Sequence, residues 1–111
     1  MDIESGDVRL LRYRLSPHPP LPLSQQRLSD FLGVSWSTVA RWEGGGRVNV
    51  RLTRKLVRVQ RVLDVLGDQI KLEHRLAFFT QQHPLLLGLR PIDLLESEEG
   101  LAAVLRQIEG G

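Results

Sequence analysis

The 111-residue chain has no cysteine. That excludes disulfide bridges, thiolate nucleophiles and thiolate-bound zinc, and leaves a fold that relies on apolar packing. No apolar run approaches the roughly 18 residues of a membrane span. The acidic start Met1-Asp2-Ile3-Glu4 also lacks the basic and then apolar order of a secretory signal, so a cytoplasmic chain without a membrane partner is expected. The three histidines show no metal-ligand spacing: His18 lies among prolines, His83 precedes one, and His74 stands alone on a helix. Gly44-Gly45-Gly46 lacks the lysine and the strand-to-helix setting of a phosphate loop. Adjacent carboxylates such as Glu98 and Glu99 diverge by about 100° on a helix and cannot flank one substrate. Catalysis, a cofactor and a metal are therefore not expected.

The composition is that of a globular chain, 41% hydrophobic and 25% charged, enough to bury a core. Its net charge of +2 conceals a polarity. Residues 1–66 hold 11 basic against 6 acidic residues, and residues 67–111 hold 4 against 7. A basic half suits a polyanion and an acidic half does not, so two partners of opposite character are expected. Of the 15 basic residues 13 are arginine, whose planar fork suits phosphate and guanine.

Apolar spacing predicts an all-α chain with no strand and no internal repeat. Val8, Leu11 and Leu15 suggest a first helix over residues 7–15. The prolines between Ser16 and Leu23 then force a stiff, non-helical connector. Ser24 is a good N-cap for a helix carrying Leu28, Phe31 and Leu32, which Gly33 ends in a left-handed turn; Ser35 caps the next, with Val39 and Trp42 inward. Residues 51–66 repeat Leu52, Leu56, Val59, Leu63 and Leu66 at three and four, a clear amphipathic helix. A further helix is predicted over residues 68–82 with Leu72, Leu76 and Phe79 inward. Pro91 opens a short one, and Ser97 caps a last one with Leu101, Val104, Leu105 and Ile108 as its buried stripe. The boundary between a DNA-directed domain, 1–66, and a partner-directed domain, 67–111, is placed at Gly67.

Residues 23–43 read as helix, glycine turn, helix, and resemble the Xre-type helix-turn-helix. Leu28, Val34 and Val39 form the small shared core, Ser29 lets the helices approach, and Gly33 permits the turn. In that arrangement Ser35, Trp36, Ser37 and Thr38, with Arg41 one turn on, meet base edges or phosphates, and Arg41 can grip a guanine. The resemblance implies that Gln25 holds a phosphate and that Trp42 packs inward. Trp36 faces outward, toward DNA or toward a protein partner.

Between Glu43 and Asp64 every charge is positive: Arg47, Arg51, Arg54, Lys55, Arg58 and Arg61. Such a stripe is either a solvated face or one whose self-repulsion, a few tenths of a kcal/mol per i,i+4 pair, is compensated. Phosphates are the first candidate. Arg47 and Arg51 are the expected phosphate contacts, and Arg58 and Arg61 could serve a subunit interface.

The segment 83–101 carries proline, leucine and glycine at Pro84, Leu85 and Gly88. Pro91, Asp93, Leu94 and Leu95 follow, then Glu99-Gly100 and a closing helix. It resembles the toxin-binding domain of the Xre/MbcA/ParS antitoxins. The family's central tryptophan is absent near Ala77, where Phe78 and Phe79 fill the volume. The two resemblances together imply a type II antitoxin that blocks an NAD-consuming RES-domain toxin and represses its own operon by binding operator double-stranded DNA, as a homodimer or a toxin–antitoxin hetero-oligomer. Pro91, Leu94, Leu95 and Gly100 read as structural. Toxin contacts are expected at Arg90, Glu96, Glu99, Arg106 and Glu109, and at Gly111, whose terminal carboxylate could enter an arginine-lined cleft. The alternatives are a stand-alone helix-turn-helix regulator whose acidic half dimerises, and a pure protein-interaction module.

Overall fold

The periodic apolar residues fold into seven α-helices among the described residues, with no strand beyond one isolated antiparallel bridge between His83 and Leu89. The computed structural model describes residues 5–18 and 20–110. The expectations placed on Met1-Asp2-Ile3-Glu4 and on Gly111 lie outside the described residues. The helices are α1 (Ser5–Arg14), α2 (Gln25–Leu32), α3 (Trp36–Glu43), α4 (Val50–Leu66), α5 (Arg75–Thr80), α6 (Pro91–Leu94) and α7 (Glu98–Gly110). None of the described helices is long and apolar enough to cross a membrane.

Caps fix the helix starts. Ser24 Oγ accepts the Arg27 N–H at 3.1 Å, Ser35 Oγ accepts that of Thr38 at 3.3 Å, Asn49 Oδ1 that of Leu52 at 2.9 Å, and Ser97 Oγ that of Gly100 at 3.0 Å. Each supplies an acceptor for a donor that the first turn leaves unsatisfied. Gly33 takes φ 72°, a left-handed value that lets α2 stop and α3 begin three residues later.

α4 is the longest helix. It packs against α7, while α2 and α1 pack on α3 and α6 joins α5 to α7. One apolar cluster runs through both halves of the chain, from Val8, Leu28, Val39 and Trp42 through Leu56, Val59 and Leu63 to Phe79, Ile92, Leu101 and Val104. Phe79 meets Phe31 edge-on with ring centroids 5.5 Å apart, and meets Phe78 at the same separation. This geometry suits the aromatic quadrupole and ties α2 to α5.

The single helix expected over residues 68–82 does not form. Gly67 redirects the chain at φ 43°, Ile70 and Lys71 are extended, and two 3₁₀ turns precede the six-residue α5. Nine residues at about 100° each place Ile70 and Phe79 on opposite faces of one helix. Both lean on the core, so the backbone must break between them, and Leu72 is turned outward. In α7, Leu101 and Val104 are buried while Leu105 and Ile108 are only half-buried.

The loop before α6 holds an oddity. Leu87 sits at φ 60° with 92% of its surface exposed. Its backbone is pinned by its own N–H on the Pro84 carbonyl at 3.2 Å and by the Gly88 N–H on that of His83 at 3.0 Å.

Gly100 lies where α7 crosses α6, and a Cβ there would overlap the Leu94 carbonyl group. Gly100→Ala is expected to cost about 1–3 kcal/mol in urea unfolding, the range for forced overpacking. Gly110→Ala, with nothing within 4 Å of its added Cβ, should leave the midpoint nearly unchanged.

Candidate nucleic-acid interface

The surface of α3 divides cleanly. Val39 and Trp42 are buried at 0% and 1% exposure, and Leu28 and Ser29 of α2 close the same seam, with Val34 half-buried beside them. On the other side Ser35, Trp36, Ser37 and Arg41 are exposed and Thr38 is half-buried. Ser35 Oγ, the cap, also lies 2.7 Å from Thr38 Oγ1 and 3.1 Å from Ser37 Oγ, so the three hydroxyls form one cluster at the helix start. Arg41 projects from the last turn. A Cβ at Gly46 would come within 2.7 Å of Arg41 Cγ, and the Gly46 N–H donates to the Arg41 carbonyl at 2.8 Å. Glycine at that position is what lets the loop after α3 fold against the arginine stem.

Behind this face lies an arrangement that sequence reading missed. Glu43, buried at the end of α3, accepts from Arg12 Nη1 on both carboxylate oxygens at 2.9 and 3.0 Å, and from Gln25 Nε2 at 2.6 Å. Arg12 Nε in turn donates to the Leu23 carbonyl at 2.7 Å. Gln25, expected to hold a phosphate through its side chain, instead commits its amide nitrogen to Glu43. A pairing across 31 residues leaves no mark in local spacing; an acidic residue closing a helix in an otherwise basic half was the available signal.

The compensation expected from phosphates along α4 comes largely from the chain itself. Lys55 Nζ donates to Glu96 Oε1 at 2.8 Å and Arg51 Nε to Glu96 Oε2 at 3.1 Å. Arg58 Nε donates to Glu98 Oε1 at 3.1 Å and its Nη1 to the Leu95 carbonyl at 3.1 Å. Lys55 and Arg58 are buried. The subunit interface that Arg58 could have served is therefore not where it points, because its guanidinium serves the contact between α4 and the start of α7. Arg51 keeps 81% of its side chain exposed despite the pair. Arg47, Arg54 and Arg61 are exposed.

Of the expected toxin contacts, Glu96 is engaged as described, and Arg90 donates to Asp93 at 2.8 and 2.9 Å. Glu99, Arg106 and Glu109 are exposed on α7. The Lys55 hydrogen bond is the main influence holding the Glu96 carboxyl below the ordinary glutamate range. Burial opposes it, and the Lys55 charge and Arg51 add to it. The Arg90 hydrogen bond likewise lowers Asp93.

Comparison with protein-family models, with curated proteins and with solved structures gives no match to this chain.

Two outcomes follow from these contacts. Glu43→Ala strands Arg12 and Gln25 and is expected to cost about 3 kcal/mol in denaturant unfolding. Because the folded-state pKa of Glu96 is depressed, its contribution is fully present above the ordinary glutamate value of about 4.3 and is lost as the pH falls through the depressed one. The melting temperature should therefore drop on acidification below that value, and Glu96→Gln should make the curve shallower at the acid end.

Proposed function

We propose that the protein is a non-enzymatic, cytoplasmic DNA-binding antitoxin: a repressor of its own operon that also neutralises a RES-domain toxin. The observation that carries the DNA reading is the split surface of α3. The apolar side chains lock it to α2, while Ser35, Trp36, Ser37 and Arg41 are exposed on the opposite side. An exposed short helix of this kind, presented at its N-terminal end with an arginine one turn on, fits a major groove. Arg41 reads a guanine edge, Trp36 packs on thymine methyls or sugars, and Arg47, just past the glycine loop, meets a flanking phosphate. The toxin reading rests on the resemblance of residues 83–101, with Glu99, Arg106 and Glu109 on the outer face of α7 as the charged rim that steers association. A homodimer would give the operator its two half-sites.

Binding to the DNA upstream of the chain's own reading frame tests the proposal. Arg41→Ala should lose sequence preference, while Arg47→Ala should lower affinity on all sequences and reduce the salt slope by about one. If neither substitution alters binding, α3 is not the reading element. Co-purification with a RES-domain partner tests the other half, and a chain that forms no such complex lacks the antitoxin role.

A further inference from the structure

Glu96 touches both of the surfaces given a role above. It lies between α6 and α7, in the half directed at a protein partner, yet its carboxylate rests on Arg51 and Lys55 of α4. Lys55 is 8% exposed and needs a counter-charge, whereas Arg51 is 81% exposed and bonded through Nε. The two oxygens therefore divide their work. Oε1 satisfies a buried cation and Oε2 screens an exposed one.

From this geometry we infer that Glu96 is an intramolecular stand-in for a phosphate, tuning DNA affinity by partly neutralising Arg51 at the start of α4. The inference rests on the DNA-binding reading. A phosphate that approaches the outward edge of the Arg51 guanidinium meets a cation already shared with a carboxylate, and meets that carboxylate's repulsion as well. Any protein partner whose own cation draws Glu96 off Arg51 unmasks the arginine. Such a partner tightens DNA binding, and by linkage DNA tightens the partner by the same factor. The sign of the coupling is thus set by the placement of one carboxylate.

The phosphate contribution does not depend on base sequence, so a short random-sequence duplex is a sufficient probe. With the full chain, Glu96→Gln is expected to bind that duplex about two- to fivefold more tightly, the scale of an exposed charge pair. Its salt slope should steepen by up to about 0.9, one counterion-releasing contact. In the Arg51→Ala background the same substitution should have no such effect. Glu96→Gln also releases Lys55, and a gain that came through Lys55 or through net charge alone would persist in the Arg51→Ala background, which is what the double variant separates. If the unmodified chain binds duplex and Glu96→Gln binds no tighter, the screening role is overturned while the DNA reading stands. A gain that persists without Arg51 also overturns it. If no form of the chain binds duplex or its own upstream DNA, the DNA reading itself fails.

Discussion

Glu43 is the point on which three helices turn. It ends α3, and its carboxylate collects Arg12 from α1 and Gln25 from the first turn of α2. A buried carboxylate is tolerated only when paired and hydrogen-bonded, and both conditions hold only if α1, α2 and α3 meet in this arrangement. The apolar seam of Leu28, Val39 and Trp42 supplies the favourable burial. The ionic cluster adds selectivity, since an alternative packing of short, weakly specified helices leaves a charge stranded. Arg12 extends the constraint by also holding the Leu23 carbonyl, which fastens the proline connector to α1.

A second set of charges joins the halves. Lys55 and Arg58 point from α4 to the start of α7, where Glu96 and the Leu95 carbonyl just ahead of it and Glu98 in its first turn receive them. Long basic side chains bury their methylene stems against the apolar cluster while the charged ends find oxygen. The opposite charge balances of the two halves are therefore partly spent on each other, and α4 acts as a spine with a different set of contacts on each side.

The positions and serine caps of α2 and α3, their inward residues, and Leu56, Val59, Leu63 and Leu66 of α4 were legible in the sequence because they are encoded locally: a serine before an apolar repeat, and Gly33 where the backbone must turn left-handed. The inward placement of Trp42 followed from the same periodicity, and the outward one of Trp36 from the resemblance to a helix-turn-helix. What failed was long-range. The stretch 68–82 has helical spacing over short windows, but Ile70 and Phe79 both serve the core, and only tertiary packing reveals the break between them. The arginine stripe looked unbalanced because its counter-charges, Glu96 and Glu98, lie some 40 residues away in sequence. The resemblance gave Gln25 a phosphate to hold, and the partner its amide nitrogen has in the fold, Glu43, lies 18 residues on.

The two tryptophans of the chain sit six residues apart on and within the same helix, one 52% exposed at its outer start and the other 1% exposed in its seam. Their emission therefore separates into a water-relaxed, quencher-accessible component from Trp36 and a blue-shifted, protected component from Trp42. The molecule carries its own pair of optical reporters, one for events at its surface and one for the integrity of its interior, without any label being attached.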